Sequence, residues 1–424
     1  MNLIKTSVLN GISVAVKICS AIVINKVLAL YVGPSGYSSF GQFQNILTIA
    51  TSASGGIFLS GVTKETAEKS DASHLQQDVW ATAFRVTLVL AIIFGLILFV
   101  SINWIEREFF PQGGDKWPLF LMAFLLPSIA LNSLFLSILN GKKEISLYIS
   151  INIVSNITIG LLGSFFIINY GLNGGLFALI LSPLLGTILL TSRIKNIKWL
   201  KRQYFFRKIS SDALRSIARY SLMGVTSAVM VPATAILIRS YLENKFGVSE
   251  AGYWQGVQKI GDIYLSVFTT TLSLYYLPRI AEIKNSVELK KEISKIYFFV
   301  LPVACIGAAL ILLMREFIIL VLFTVEFMPM RDLMSWQVLG DIMRIGSWVL
   351  AFIMVGRGMV KTYIVTEVIF CILLFILTIK LTDIYGISGA LMGYMGCYFI
   401  YWLVMIWVVK IELATMNAQD DKYT

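Results

Sequence analysis

Eight charged side chains lie inside apolar runs long enough to cross a bilayer, and they are the candidates for chemistry. They are three carboxylates and five cations: Asp262, Asp341 and Glu367, and Lys17, Lys26, Arg239, Lys259 and Arg344. A charge inside a membrane span is costly and usually faces a wet interior or a partner, so each one marks a candidate site. The single histidine and the four cysteines, which lack metal-type spacing, indicate no histidine catalysis, disulfide or zinc site.

Lys17 carries the strongest single signal. It lies about 15 Å along the first span, too deep for easy snorkelling, and Asn10, Ser13 and Lys17 form one polar stripe at helical spacing. This stripe faces either a substrate cavity or a carboxylate on a neighbouring helix. Lys26 lies nearer the outer surface, where snorkelling explains it equally well. Arg239 has a comparable depth in span seven, which favours a cavity role for a cation in each half of the chain.

Two pairs of opposite charges lie three residues apart on one helix face, Lys259 with Asp262 and Asp341 with Arg344. Each pair either neutralises itself or exchanges one partner for a substrate anion or a coupling cation. Glu367 begins span eleven near the inner face, where it is a proton or sodium site or lines a vestibule. The acids are therefore ion-coupling candidates, for H⁺ or Na⁺.

Pro232 interrupts span seven. A proline inside a membrane helix frees a carbonyl and kinks the helix. Because Pro232 lies seven residues before Arg239, it is a candidate gate for the outer part of that helix, although a static kink is equally compatible with the sequence.

The composition is that of an integral membrane protein. Of 424 residues, 57% are hydrophobic and 14% are charged, against about 25% charged in a soluble domain. Cytoplasmic loops of membrane proteins accumulate Lys and Arg, which explains the net charge of +11 without a nucleic-acid partner. Residues 3–32 lack a separate signal-peptide core and cleavage site, so they are expected to be a retained first span.

The hydrophobic pattern predicts an all-α, polytopic protein with twelve transmembrane helices. The predicted spans are 7–32, 36–63, 80–101, 118–139, 146–168, 174–192, 217–242, 250–277, 296–314, 335–357, 362–380 and 388–409. The loops on one side hold 22 Lys and Arg and those on the other side hold 5. The positive-inside rule therefore puts both termini in the cytoplasm. The outer loops are too short to hold a soluble domain.

The most basic loop divides the chain into an N-terminal six-helix bundle (1–192), a cytoplasmic connector (193–216) and a C-terminal six-helix bundle with a short tail (217–424). The connector is partly amphipathic and is expected to lie along the lipid headgroups.

The two halves repeat. Four residues of the first half recur 214 positions later, and two further groups recur 215 positions later. The matched pairs are Gly33/Gly247, Ser35/Ser249, Gln44/Gln258 and Ile46/Ile260, then Gly141/Gly356, Tyr148/Tyr363 and Ile149/Ile364, then Tyr170/Tyr385, Gly171/Gly386, Gly174/Gly389 and Leu176/Leu391. Because six spans are an even number, the copies share one orientation, which predicts a parallel repeat with a cavity between the halves. Such repeats serve alternating access, for which an enzyme has no general need.

Several short motifs are distinctive in combination. They are the two lysines of the first span, Val32-Gly33-Pro34-Ser35-Gly36, Gly61-Val62-Thr63-Lys64, Trp254-Gln255-Gly256-Val257, Tyr276-Leu277-Pro278, Met330-Arg331-Asp332-Leu333 and Trp336-Gln337-Val338-Leu339-Gly340-Asp341. These motifs resemble bacterial flippases of the polysaccharide-transporter family, in the multidrug/oligosaccharidyl-lipid/polysaccharide exporter superfamily. Along nearly the whole chain the likeness is to the O-antigen and enterobacterial-common-antigen (lipid III) types.

The resemblance implies a twelve-helix fold in the inner membrane, which moves undecaprenyl-pyrophosphate-linked oligosaccharide from the cytoplasmic to the periplasmic leaflet. It also implies that Lys17, Lys26, Arg239, Asp262, Asp341 and Glu367 are cavity charges. Membrane lipids and other polysaccharide-assembly membrane proteins are the expected partners. No ATP-binding motif is present and no cofactor is expected, so an ion gradient or removal of product is the expected energy source.

Two other classes share part of this pattern. A cation-coupled drug or metabolite antiporter of the same superfamily has the same fold, but acidic and aromatic groups are expected in its cavity rather than five deep cations. A polytopic polymerase or ligase needs a sizeable outer loop for its catalytic groups, and the short outer loops count against it.

Overall fold

The computed structural model describes residues 3–70, 72–110, 116–194, 204–205, 207, 209–283 and 285–420. Within these ranges the protein is helical and contains no strand. The helices are α1 (Leu3–Tyr31), α2 (Gly33–Ala53), α3 (Leu59–Glu68), α4 (Ser73–Phe109), α5 (Trp117–Gly141), α6 (Ile145–Ile194), α7 (Ser211–Phe246), α8 (Val248–Thr271), α9 (Leu277–Glu282), α10 (Ser286–Leu313), α11 (Arg315–Leu322), α12 (Met334–Gly356), α13 (Val360–Tyr385) and α14 (Ser388–Asp420).

Four predicted spans are recovered as parts of broken or merged helices. α6 runs for 50 residues but has non-helical torsions at Gly171 (φ 55°, ψ −135°), so it supplies two spans. A short 3₁₀ turn, Gly56–Phe58, separates α2 from α3, and a π-helical turn, Leu272–Tyr276, separates α8 from α9. Each broken pair fills one predicted span, and the prediction of an all-α, polytopic membrane protein is confirmed.

Eight of the described helices are long and apolar enough to cross a membrane: α1, α4, α5, α6, α10, α12, α13 and α14. The helices over the other predicted spans, 36–63, 217–242 and 250–277, do not belong to that set. In α8 the reason is its polar content, which includes Glu250, Lys259 and Asp262. A polar helix within a bilayer has to face protein or water rather than lipid.

The backbone repeats where the sequence does. Positive φ angles occur at the matched positions Gly33 and Gly247, Lys143 and Gly358, and Gly171 and Gly386. At Gly174 and Gly389 a Cβ atom would lie only 1.9 and 2.1 Å from the carbonyl oxygens of Phe166 and Leu381. The same turn therefore separates the fifth span from the sixth in both halves. Glycine is required at positions 174 and 389 because a side chain has no space there.

The chain forms two compact units, unit 1 (Met1–Ile236) and unit 2 (Leu237–Thr424). The unit boundary falls inside α7, so the first part of this helix belongs to unit 1 and the last part belongs to unit 2. The division into bundles at 1–192, 193–216 and 217–424 stays a prediction.

The core of unit 1 includes a cluster of buried side chains from α3, α4, α5, α6 and the beginning of α7. Its members are Val62, Val79, Trp80, Ala83, Leu134, Phe135, Ile138, Leu139, Ile151, Leu190, Phe205, Ala213 and Ile217. The approach of α7 is close, because a Cβ at Gly61 would lie 2.5 Å from the carbonyl oxygen of Ile217.

The described end of the basic connector packs into this core. Phe205 is buried, and its ring centroid lies 5.4 Å from those of both Phe84 and Phe135. Arg207 pairs with Asp78 at 3.3 Å. Residues 195–203, 206 and 208 of the connector lie outside the described residues. For Phe205 the expectation that the connector lies along the headgroups is wrong. Its side chain gains more from burial among aromatic rings.

Candidate functional site

The carboxylate of Asp341 is completely buried in the middle of α12. Two glycines of the same helix bring α14 close to it. A Cβ at Gly340 would lie 2.4 Å from the ring of Tyr394, and one at Gly346 would lie 2.7 Å from that of Trp402. Because these positions have no side chain, Tyr394 lies directly beside Asp341.

Four side chains form a hydrogen-bonded group, which we name the Asp341 cluster: Gln337, Asp341, Arg344 and Tyr394. The Tyr394 hydroxyl donates to Asp341 Oδ1 at 2.7 Å, and the Gln337 amide donates to the same oxygen at 2.9 Å. Arg344 Nη1 in turn donates to the Tyr394 hydroxyl oxygen at 3.1 Å. The second carboxylate oxygen, Oδ2, is buried without a hydrogen-bond partner.

Arg344 is held between aromatic rings rather than by a carboxylate. Its guanidinium carbon lies 4.5 Å from the centroid of Trp348 and 5.2 Å from that of Tyr398. Its Nε atom is buried and has no hydrogen-bond partner. Cation–π contacts of this kind contribute about 2 kcal/mol or more where water is excluded.

α8 closes the other side of the cluster. A Cβ at Gly261 would lie 2.8 Å from the Gln337 amide nitrogen and 2.9 Å from Asp341 Oδ2. A crevice that is too narrow for a water molecule runs between α8 and α12 beside the carboxylate. The next residue, Asp262, is exposed and lies near enough to act electrostatically on Asp341 and Arg344.

Neither predicted pair forms an ion pair. Among the described residues, no carboxylate oxygen lies within ion-pair distance of Lys259 or Arg344. The alternative in which each pair neutralises itself through a direct ion pair is therefore wrong. In α12 the Tyr394 hydroxyl stands between the two charges, because the glycine at position 340 admits the tyrosine ring.

Glu367 lies half-buried in α13 and acts electrostatically on Tyr398 and Tyr401 of α14. Tyr398 also packs on Arg344. The three predicted acids therefore lie in the same part of unit 2, although only Asp341 belongs to the hydrogen-bonded cluster.

The predicted cations of α1 and α7 differ sharply in burial. Lys17 is exposed, and none of the described residues forms an ion pair or hydrogen bond with it. Lys26 is half-buried. Arg239 is 1% exposed, donates a hydrogen bond to Gln255 and lies 5.6 Å from the centroid of Trp254.

The comparable depth of Lys17 and Arg239 is not observed. Lys17 lies 14 residues before the end of α1 at Tyr31, whereas Arg239 lies 7 residues before the end of α7 at Phe246. At 1.5 Å per residue, their distances from these helix ends differ by about 10 Å. With Gly33 and Gly247 aligned, Arg239 corresponds to Asn25, which is buried and accepts a hydrogen bond from Tyr37 at 2.9 Å.

α7 continues through Pro232 without ending. The prediction that this proline interrupts the span is therefore wrong, although the missing N–H still leaves the carbonyl of Ala228 without its helical donor. Pro232 lies four residues before the boundary between the units. Its role as a gate stays a prediction.

Sequence reasoning missed Gln337, Trp348, Tyr394 and Tyr398. Their only sequence signal is helical spacing: Gln337 precedes Asp341 by one turn, Trp348 follows Arg344 by one turn, and the tyrosines are one turn apart in α14. That spacing does not reveal which helix packs against α14.

The Asp341 cluster is suited to bind and release a small cation. An unpaired, buried carboxylate oxygen is strongly disfavoured, so Asp341 requires a proton or a cation whenever it is closed from water. The Tyr394 hydroxyl and the Gln337 amide hold the other oxygen, and Arg344 holds the tyrosine hydroxyl in place.

Solved structures with the same architecture define the class of protein. An inward-facing multidrug resistance MATE family transporter of the MOP superfamily matches with a TM-score of 0.79, covering 94% of this chain and 95% of that chain at 13% identity. The protein therefore has the fold of MOP-superfamily transporters and is a multi-pass membrane protein.

The sequence comparisons define the family. Residues 27–332 match the family described as polysaccharide biosynthesis protein, and the chain belongs to this family. It is 27% identical over 406 residues to the lipid III flippases of Escherichia coli strain K12 and of Shigella flexneri, covering 95% of this chain and 96% of each relative. These relatives are transporters and not enzymes, which removes support from the polymerase or ligase alternative.

Proposed function

We propose that this protein is a flippase for a lipid-linked oligosaccharide. The observation that carries the proposal is the match to the lipid III flippases, which extends over 95% of the chain. The fold alone does not choose between this function and drug export, since multidrug transporters have the same fold. The sequence relatives favour the flippase.

The substrate that we propose is an undecaprenyl-pyrophosphate-linked O-antigen or common-antigen repeat unit, which moves from the cytoplasmic to the periplasmic leaflet of the bacterial inner membrane. A sugar with a pyrophosphate cannot enter hydrocarbon unaided, because an unpaired charge is very costly there. Cations inside the spans offset that cost. Lys17 fits best, because its ammonium is exposed and no described residue neutralises it.

Four more cations are proposed to contribute to the same path: Lys26, Arg239, Lys259 and Arg344. Lys259 is half-buried and forms no ion pair with a described residue. Arg239 and Arg344 already contact aromatic and polar groups, so their contribution to substrate binding requires those contacts to open. Both termini are proposed to be cytoplasmic, on the strength of the loop charges.

Alternating access is proposed to be driven by a proton gradient through Asp341, with Asp262 and Glu367 as neighbouring acids. A proton needs no coordination shell, and the crevice beside Asp341 Oδ2 is too narrow for water. Na⁺ would require several oxygen ligands and more space. Pro232 is proposed to let the outer part of α7 move, and no cofactor is invoked.

The coupling proposal is tested in proteoliposomes with an imposed pH or Na⁺ gradient. Asp341→Asn should abolish gradient-driven accumulation while substrate binding is retained, and Asp262→Asn should reduce it less because its carboxylate is exposed. Normal accumulation by all three single variants, Asp262→Asn, Asp341→Asn and Glu367→Gln, would show that the acids are structural.

The function itself is tested by deleting the gene in its host. We expect one lipid-linked oligosaccharide to accumulate on the cytoplasmic leaflet and the matching surface polysaccharide to disappear. Identification of the accumulated glycan gives the substrate. Unchanged lipid-linked glycans with a changed sensitivity to cationic drugs would favour a drug antiporter instead.

A further inference from the structure

A cavity with aromatic walls lies at the helix break of α6 in unit 1. Its volume is about 380 Å³, near the lower end of the range of about 300–1,000 Å³ that is typical of small-molecule sites. We name it the aromatic pocket and define it by its six lining residues: Trp117, Phe166, Tyr170, Asn173, Gly174 and Phe177.

The rings of the aromatic pocket converge from two helices. The centroid of Phe177 lies 4.9 Å from that of Phe166 and 5.8 Å from that of Trp117, and Phe166 lies 6.2 Å from Tyr170. Trp117 and Tyr170 remain 40% and 65% exposed. These two rings thus keep accessible surface although they line the cavity.

The second half of the chain provides an internal comparison. It has the same helix break, at Gly386, and the same close approach at Gly389. The positions that match Phe166 and Phe177 are nevertheless Leu381 and Met392. Tyr170 is matched by Tyr385, but the backbone does not require the two phenylalanines at this turn, and the presence of Phe166 and Phe177 in unit 1 needs another explanation.

The lining favours an uncharged ligand. None of the six lining residues carries a charge. Lys116, which precedes Trp117, is engaged with Asn103 at 3.0 Å and Glu106 at 3.5 Å. A phospholipid headgroup carries a phosphate and calls for Lys or Arg, whereas a neutral sugar needs C–H contacts to aromatic faces and a few polar groups.

We propose that the aromatic pocket binds sugar rings of the translocated glycan, without binding its pyrophosphate or lipid. This inference rests on the proposed function, and the predicted topology puts the helix break of α6 at the outer face, where the glycan emerges. The volume accommodates a short part of a glycan rather than a long chain. Binding in the aromatic pocket stabilises the glycan on the outer side of the membrane before it is released.

The test uses the purified full-length protein in nanodiscs. The probe is the soluble oligosaccharide released from the lipid-linked glycans of the source cells, free of lipid and pyrophosphate. Binding is measured by saturation-transfer NMR and by the ¹⁹F signal of fluorotryptophan at position 117, assigned with Trp117→Phe. The key variant is Phe166→Leu with Phe177→Met, which gives unit 1 the residues that unit 2 already accommodates on the same turn.

The matched control is Phe99→Leu with Phe120→Leu. These two rings also lie in unit 1, are exposed, and have centroids 5.5 Å apart. We expect the wild type and the control to bind the oligosaccharide equally and the key variant to bind it about tenfold or more weakly, since two aromatic contacts are lost.

Equal binding by all three proteins would overturn the inference. So would a Trp117 signal that follows the anionic lipid content of the nanodisc and ignores the oligosaccharide. The two proposals fail separately. If the protein binds the glycan in the aromatic pocket but moves no lipid-linked glycan, the proposed function is refuted. If the protein moves the lipid-linked glycan and the key variant binds the oligosaccharide normally, only the role of the aromatic pocket is refuted.

Discussion

At the scale of single residues, a charge inside a membrane helix has different meanings according to what surrounds it. Lys17 is exposed without a described partner, Arg239 is buried against Trp254 and Gln255, and Asp341 is buried with one free oxygen. We propose that the first contacts the substrate and that the third takes up a proton, whereas the second is held by side chains of its own unit.

The first prediction concerns Lys17 and Arg239. A charged hydrogen bond contributes about 1.5–3 kcal/mol, so Lys17→Ala should weaken binding of the lipid-linked oligosaccharide by roughly ten- to a hundredfold at a normal expression level. Arg239→Ala should instead lower the amount of folded protein, because the Arg239 guanidinium stabilises packing.

Both quantities are measured together, by binding to the purified proteins and by their levels in the membrane. Lys380→Ala is the control, since Lys380 is also exposed but lies near the end of α13. Unchanged binding by a well-folded Lys17→Ala protein would rule out Lys17 as a pyrophosphate contact.

The second prediction concerns the buried Glu65 of α3. Burial raises the pKa of its carboxyl, but hydrogen bonds from Lys69, at 2.8 Å, and Ser216, together with the charges of Lys64 and Lys69, outweigh it and leave the pKa lowered. A carboxyl whose folded pKa is lowered stabilises the fold fully above its unfolded pKa of about 4.3, and this stabilisation is lost as the pH falls through the folded pKa.

The advantage in melting temperature of the wild type over Glu65→Gln should therefore be largest near neutral pH and should shrink on acidification below about pH 5. Glu68→Gln, at an exposed glutamate of the same helix, should show little difference at any pH. A gap between wild type and Glu65→Gln that stays constant with pH would contradict the assignment.

At the scale of elements, short breaks and docked segments determine which side chains meet. The third prediction concerns the docked end of the connector. Truncation of a buried phenylalanine typically costs about 3–5 kcal/mol, so Phe205→Ala should lower the free energy of unfolding by this amount. The change is measured by denaturation in detergent. Ile209→Ala is the control, because Ile209 is 52% exposed, and an equal loss in both variants would contradict the packing of Phe205.

The helices and their repeat were predictable from the sequence, because hydrophobic runs and recurring glycines report on local backbone structure. The Asp341 cluster was not predictable from the sequence, although its two charged members, Asp341 and Arg344, were among the predicted site residues. Gly340 and Gly346 determine which ring of α14 reaches α12, and that depends on the packing of helices distant in the chain. The docking of Phe205 was missed for the same reason, since amphipathic spacing suits a membrane surface as well as a protein core.

At the scale of the whole molecule, the fold and family define a transporter, and its orientation is a prediction from loop charges. The fourth prediction uses single cysteines at Ser211 and Asn169, both exposed, in a protein lacking the four native cysteines. An impermeant reagent on intact spheroplasts should label position 169 and leave position 211 unlabelled until the membrane is opened. The reverse pattern would contradict cytoplasmic termini.

The central claim is our proposal that this protein moves a lipid-linked oligosaccharide across a bilayer. The most direct measurement reconstitutes the purified protein with a fluorescent undecaprenyl-pyrophosphate-linked oligosaccharide and follows the fraction that a membrane-impermeant quencher can reach, with protein-free vesicles as the control. We predict that a proton gradient shifts this fraction with the wild type, and that Asp341→Asn abolishes the shift. Identical leaflet distributions in vesicles with and without the wild-type protein, under either gradient, would contradict the account.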